Sequence, residues 1–311
     1  MMKTETKKIF KRQRKTFADK SDGLLNFNDM KYAKYKLLYA CMWLFMLIIS
    51  LICIIPVIWV ALSSFKEPAE MYAVPPTLFP SSISFDKVVE VWNKVDVGLY
   101  FKNSVIIIVG CVLVDIVVNG LAGYVLSRVR PIGSAFLNTI IFWSMMLPGI
   151  SMVPLYMTFV DMPLIHVNLV GSYIPLWLMA GADAFSIFLF RNFFNGISMS
   201  YIEAARLDGC TEIDIFRRIM LPLSKPVVVV TAINRVIGTW ASFMWPYLLL
   251  GNTNKQPIAV LLYKLKESSN VNLLDNEYMM VLMLSIIPMI IVYALLSKHI
   301  KGGVNMSGVK G

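Results

Sequence analysis

Residues 203–226 read EAARLDGCTEIDIFRRIMLPLSKP, a charged, helix-prone stretch of 24 residues set between two long apolar segments. Glu203 to Asp208 favours helix, and Gly209 readily takes the left-handed conformation with which helices end. Thr211 is a good N-cap for a second helix, with Asp214 three residues on in the manner of a capping box. Ile215, Phe216 and Ile219 give that helix an apolar face, and Pro222 is expected to close it. The stretch therefore predicts helix, tight turn, helix: a rigid polar knob in a chain that is otherwise apolar.

Outward from the knob, composition decides the class. Hydrophobic residues make up 57% of the 311 and charged residues only 15%, which predicts an all-α polytopic membrane protein rather than a soluble domain. The formal charge of +10 invites a nucleic-acid reading. Against it, eleven of the 29 Lys and Arg precede residue 37, just ahead of the first apolar segment. That placement fits a positive anchor against anionic lipid, so no nucleic-acid partner is expected. Cys41, Cys53 and Cys111 lie in apolar segments and Cys210 in the knob, which implies no disulfide framework. The basic tail and the long apolar run behind it read as an anchor that stays, not a cleaved signal.

A helix needs roughly 20 residues to cross the hydrocarbon core. Charged residues bracket six such segments: Lys36–Lys66, Lys102–Arg128, Arg130–Asp161, Asp161–Arg191, Lys225–Lys255 and Glu277–Lys298. Six transmembrane helices put both termini on one side. With the termini inside, 21 Lys and Arg fall on the inner side and 7 on the outer, Arg235 alone being left over. This bias predicts a cytoplasmic N-terminal tail (1–36), a six-helix domain (37–311), a cytoplasmic 203–226 knob and a cytoplasmic C-terminal tail (298–311). Two larger outer segments remain. Residues 66–101 are proline-rich and then amphipathic, with a short interfacial helix expected from Phe85 to Trp92; residues 250–277 are polar, with turn signals at Gly251-Asn252 and Asn254. Pro148, Pro154, Pro175 and Pro246 are expected to interrupt three of the spans, either as packing kinks or around a cavity.

Ionisable groups at mid-span cost roughly 2.5–3.5 kcal/mol each by insertion scales and so face a pathway or a partner. Asp115 with Asn119 forms a polar pair four residues apart, Asp183 and Ser186 lie three apart, and Asn234-Arg235 sits a third of the way along the fifth span. Both a polar translocation path and a structural bridge fit the two acids; for Arg235 a bridge to Asp115 or Asp183 is favoured. Trp240 is deep enough to stack on a sugar, whereas Trp245 and Tyr247 read as interfacial aromatics. No catalytic residue is expected. There are only two histidines, His166 and His299, and no metalloprotease, nucleophile-elbow, paired-cysteine or phosphate-loop motif occurs, so neither a metal site nor an ATP site is expected in this chain.

Glu203-Ala204-Ala205, Asp208-Gly209, Ile219, Leu221-Pro222 and Pro226 resemble the EAA loop of ABC importer membrane subunits. Asn103-Ser104, Tyr124 to Arg128, Pro148, Pro154-Leu155-Tyr156, Gly171, the run Trp240 to Pro246 and the glycine-containing tail resemble the carbohydrate branch, specifically the second, maltose-type subunit. Cys210 stands where that family has a small residue, Ala241 where it has Asn, and Ser198 where it often has Pro. The resemblance covers about residues 37–311 and implies a type I importer core. It implies that Glu203, Ala204, Ala205, Asp208, Gly209, Ile219, Leu221 and Pro222 couple to an ATPase. Gly302, Gly303, Val309 and Lys310 would reach the same ATPase, and Asp115, Asn119, Asp183, Asn234, Arg235 and Trp240 would line a substrate path. The implied partners are a second, non-identical permease subunit, two ATPase subunits holding ATP and magnesium, an extracytoplasmic solute-binding protein and the bilayer of a bacterial cytoplasmic membrane. A permease for a peptide or amino acid, and less so a secondary transporter, are the other readings.

Overall fold

The computed structural model describes residues 33–146, 152–163, 165–251, 253–267 and 273–306, and every regular element among them is a helix. The chain divides near Trp59 into two units. The first, among the described residues, is the part of helix α1 (Ala33–Ser63) that ends at Trp59, and the helix from Lys36 has a mean hydropathy of 2.9. The run is free of charge from Leu37 to Phe65, long and apolar enough to cross the hydrocarbon core.

The second unit is organised on α3, Val97–Val129, a 33-residue helix of mean hydropathy 2.6. Three apolar clusters succeed one another along it. At its start, Val97 joins Val91 of α2 (Asp86–Lys94), Ile258 and Leu261 of α12 (Ile258–Glu267) and Met280 and Val281 of α13 (Asp275–Met306). In its middle, Ile107 and Cys111 meet Phe159 of α5 (Met152–Val160), Leu176 and Ala180 of α6 (Ile174–Ala180) and Leu249 and Leu250 of α11 (Met244–Leu250). Near its end, Tyr124 packs with Phe190 and Phe194 of α7 (Ala184–Gly196) and with the knob residues Ile202, Ile215, Phe216 and Met220. The approach of α3 to α7 is close because Gly123 has no side chain: a Cβ there would stand 2.7 Å from that of Phe190. Small residues at a crossing are the usual way for membrane helices to gain contact where lipid offers no hydrophobic drive.

Polar side chains fix the first of these clusters. Asn103 donates to the carbonyls of Asn254 and Gln256 at 2.8 and 3.0 Å, Ser104 accepts from the Ile258 amide at 2.9 Å, and Tyr173 donates to Asn103 Oδ1 at 2.8 Å. The 250–277 segment is thus not only a polar connector. It contains α12, whose Ile258, Val260 and Leu261 are buried. Lys94 closes on Glu277 at 2.8 Å, tying α2 to the start of α13.

Among the described residues, three helices are long and apolar enough to cross a membrane on their own (α1, α3 and the Asp275–Leu295 part of α13), or up to five if each bent pair counts as one span. One pair is α6 with α7, bent by 42°. The other is α9 (Glu212–Leu223) with α10 (Lys225–Ala241), bent by 81°. α4, Ser134–Met146, is apolar but only 13 residues long. The prolines meet the sequence expectation in part. Pro154 and Pro175 sit in the first turns of α5 and α6 and Pro246 in that of α11, where a missing amide costs nothing. One break falls at Gly181–Asp183, away from Pro175; the other, at Ser242–Phe243, lies four residues before Pro246, whose missing amide leaves the Ser242 carbonyl without a helical partner, so this proline does interrupt the fifth segment. Pro148 lies outside the described residues. Pro222 stands where expected, one residue before its helix ends at Leu223, and a widened π-turn, Phe216–Met220, precedes it. α13 continues through Gly302 and Gly303 to Met306, beyond the expected end of the sixth span, while Val309 and Lys310 lie outside the described residues.

Candidate functional site: an intramembrane ion cluster and the polar knob

Asp115 opens a π-turn in α3, Asp115–Asn119, and is fully buried. Such widened turns recur at functional sites because they re-aim side chains out of the regular helical repeat. The Arg235 guanidinium reaches it from α10, with Nη2 3.0 Å from Asp115 Oδ1 and 3.1 Å from Asp183 Oδ2. Asn119 donates to Asp115 Oδ1 at 2.6 Å and to the Ala180 carbonyl at 2.8 Å, and its own Oδ1 accepts from the Asp183 amide at 3.3 Å. Asp183 is not mid-helix, as its place in the fourth segment suggested. It is the N-cap of α7, accepting from the Ser186 amide at 3.1 Å and from its hydroxyl at 2.6 Å. Two acids and one base, from α3, α10 and the α6–α7 break, thus share a single clasp.

The clasp is incompletely satisfied. Asp115 Oδ2 and Arg235 Nε are buried without a hydrogen-bond partner among the described residues. Unpaired polar atoms in an apolar interior cost about 1–3 kcal/mol each, so this arrangement stores a tendency to re-pair. Beside it opens a cavity of about 300 Å³, lined by Ile107 and Cys111 of α3, Met179 and Ala180 of α6, Arg235 and Thr239 of α10, Ser242 in the α10–α11 break and Trp245 of α11. Of the residues marked in the sequence for a substrate path, Asp115, Asn119, Asp183 and Arg235 come together. Asn234, one residue and so about 100° round from Arg235, is exposed on another face of α10. Trp240 packs on Phe101 at 5.8 Å in the first apolar cluster, away from the cavity. Trp245, read from sequence as an interfacial aromatic, is the tryptophan on the cavity wall.

The knob is built as its sequence suggests. Helix α8, Met199–Leu207, starts on Ser198 and ends in a Schellman turn: the Gly209 amide donates to Arg206 O at 3.1 Å and the Cys210 amide to Ala205 O at 3.0 Å. Gly209 has a φ of 79° and open space where a Cβ would stand, so it is required for conformation and not for room. Thr211 caps α9 by accepting from the Asp214 amide at 3.2 Å. The same hydroxyl donates to the Asp214 carboxyl at 2.6 Å and, with Arg218 close by, holds that carboxyl below its ordinary range.

One face of the knob is packed and the other is bare. Ile202, Ala205, Ile215, Phe216 and Met220 are buried, Ile219 and Leu221 pack against that cluster, and Glu203, Ala204, Asp208 and Pro222 are exposed. Leu207 at 90% and Ile213 at 72% exposure are apolar residues left bare among the described residues. Sequence reasoning missed the fastening. Glu212 accepts from Tyr124 of α3 at 2.5 Å and pairs with Arg206 of α8 at 2.8 Å. Arg128, in the last turn of α3, donates to the carbonyls of Phe194 and Ile197, and thus caps the C-terminal end of α7. The Arg206–Glu212 pair across the turn is visible in the sequence as opposite charges either side of Gly209; Tyr124 and Arg128 carry no such local sign.

Comparison with known proteins accords with this geometry. Residues 119–305 match the family described as binding-protein-dependent transport system inner membrane component. The chain is 28% identical over 296 residues to the probable ABC transporter permease protein YurM of Bacillus subtilis, covering 93% of this chain and 95% of that one. It is 29% identical over 271 residues to the arabinooligosaccharides transport system permease protein AraQ of Halalkalibacterium halodurans, covering 85% and 93%. Its fold matches a chain in the crystal structure of a bacterial ABC transporter involved in the import of the acidic polysaccharide alginate, with a TM-score of 0.75, 25% identity and coverage of 86% and 98%. The matched region takes in α7, the knob and the Arg235 helix. The chain therefore belongs to the family of binding-protein-dependent transport system inner membrane components, and is a multi-pass permease subunit of the ABC importer type.

Proposed function

We propose that this chain is one of two non-identical permease subunits of an ATP-driven importer of sugars or oligosaccharides, with the knob as its socket for a separate ATPase. The observation that carries the coupling reading is the bare face of Glu203, Ala204, Leu207 and Asp208 over a base fastened to α3 and α7. Those two helices also carry Asp115 and Asp183, so displacement of the knob has a stiff route to the cavity. The sugar assignment is supported by the relatives' substrates and by a cavity that sets Trp245 among hydroxyl groups.

In this reading six helices cross the membrane and both termini face the cytoplasm, in keeping with the excess of Lys and Arg on that side. Ala204 lets the ATPase approach closely, Glu203 offers it a charge, Ala205, Ile219 and Leu221 support the knob from beneath, and Pro222 stands exposed beside the contact. ATP and magnesium are held by the ATPase, which closes on nucleotide and draws the two knobs together. The permease pair then rocks about a midplane cavity. A solute-binding protein delivers substrate to the outer face, where the 250–277 segment is a contact.

Glu203→Ala and Gly209→Val are expected to abolish uptake and to weaken co-purification of the ATPase. The valine forces a β-branched residue into the left-handed region at about 1–2 kcal/mol. Both variants are expected to reach the membrane fraction at normal levels, because neither touches a span. Normal uptake in both would remove the coupling reading. Removing residues 302–311, which include Gly302, Gly303, Val309 and Lys310, is expected to lower substrate-stimulated ATP hydrolysis without affecting insertion. Wild-type hydrolysis in that truncation would assign the tail no part in the contact.

A further inference from the structure

We infer that the Asp115–Arg235–Asp183 clasp makes the cavity a filter that admits uncharged glycans and turns away anionic ones, with Asp183 as the residue that sets this preference. The inference rests on the reading of the cavity as part of a carbohydrate path. An unpaired arginine in a wall of this kind would do the opposite, since the guanidinium fork is the preferred protein partner of carboxylates and phosphates. Here two carboxylates oppose that charge, both through one of its nitrogens. Nη2 lies 3.0 Å from one carboxylate, 3.1 Å from a second and 3.4 Å from the Ala180 carbonyl. Two carboxylates against one guanidinium leave the cluster with a net negative charge.

Arg235 is also the one charged residue among the described residues of the cavity wall. An incoming uronate or phosphate would lose its hydration and meet only a guanidinium already opposed by two carboxylates. Removal of a charge from water is recovered only through an opposite charge or several hydrogen bonds. A neutral sugar needs neither. Its hydroxyls both donate and accept, which suits Thr239 and Ser242, and its apolar ring faces suit Trp245.

The two acids are not equivalent. Asp115 is fully enclosed and bonded to Asn119, so it belongs to the frame of the clasp. Asp183 has a side chain 34% exposed and stands at a helix break. Asparagine caps a helix as well as aspartate does, so Asp183→Asn removes one negative charge while keeping the cap of α7.

The test uses the full chain, co-expressed with its second permease subunit and held in lipid nanodiscs. Tryptophan fluorescence is titrated with maltotriose as the neutral probe and trigalacturonate as the anionic one, and a Trp245→Phe variant identifies the signal that belongs to the cavity. The expected result is a Trp245-dependent change with maltotriose at concentrations about ten-fold or more below any change with trigalacturonate, the scale of one uncompensated like-charge contact. Asp183→Asn is expected to narrow that ratio several-fold. Equal responses to both probes in the unmodified chain, or a ratio unmoved by Asp183→Asn, would overturn the filter. Loss of any Trp245-dependent response to either probe would instead remove the carbohydrate path itself, and the filter with it.

Discussion

Asp115→Ala is expected to abolish transport and to lower stability by about 3–5 kcal/mol, the scale for breaking a buried ion pair by removing one partner. The alanine leaves Arg235 inside the helix bundle with Asp183 as its remaining acid, and it takes from Asn119 the closer of its two acceptors. Thermal unfolding in detergent reads the stability, and uptake in whole cells reads the transport. The informative comparison is the double variant Asp115→Leu with Arg235→Met. Replacing a buried pair by apolar groups of similar volume is often neutral or stabilising, so the double variant is expected to regain most of the lost stability. Uptake is expected to stay lost, because the cavity wall no longer carries its arginine. Recovery of both together would assign the clasp a purely structural task.

The second large effect is expected at the α3–α7 crossing. A Cβ on Gly123 would lie 2.7 Å from Phe190 Cβ and 2.9 Å from the backbone nitrogen of Arg191, neither of which can yield without moving α7. Gly123→Leu therefore drives the helices apart, at about 1–3 kcal/mol or more for overpacking of this kind. Tyr124 follows the next position of α3, so its bond to Glu212 is expected to break as well. Limited trypsinolysis is the measurement: cleavage at Arg206, Arg217 and Arg218 is expected to accelerate, together with a lower melting temperature. Gly196→Leu is the matched control, since a Cβ there meets nothing within 4 Å. If the two variants digest alike, the crossing does not hold the knob.

What could be read in the sequence, and what could not, divides by the range of the interaction. The knob is local. Its turn, its cap and its buried face depend on residues a few positions apart, and Gly209, Thr211, Ile215 and Phe216 behave as their types require. The Arg235 bridge was legible because three charges among apolar residues leave few ways to pair; both proposed acids proved to be partners at once. Trp240 and Trp245 were separated wrongly. They lie five residues apart on either side of a break at Ser242, and a break redirects everything after it, so depth counted along one straight helix fails. The prolines were read in part. The missing amide suits a first turn, and Pro154, Pro175 and Pro246 all took that place; only ahead of Pro246, among these three, does the break lie where the proline frees a carbonyl. Tyr124 reaches Glu212 across 88 positions, and no periodicity announces such a contact.

The two π-turns of α3, Asp115–Asn119 and Val125–Val129, have a consequence for insertions and deletions. Each widened turn holds about one residue more than the regular repeat, which rotates everything after it by about 100°. The helix is in effect two regular segments with separately set angular phases and a widened end: the first turns Ile107 and Cys111 toward the cavity, the second turns Gly123 toward α7, and the closing π-turn brings Arg128 under the end of α7. Losing a single residue between 115 and 119 would take out that surplus and leave Tyr124 and Arg128 facing Glu212 and Phe194. The same loss in the regular turns between 105 and 110 would shorten the span by only about 1.5 Å and leave its apolar content intact, yet turn everything behind it by about 100°. Hydropathy would score both shortened helices as sound, while only the first kept the cavity and the knob at a common angle.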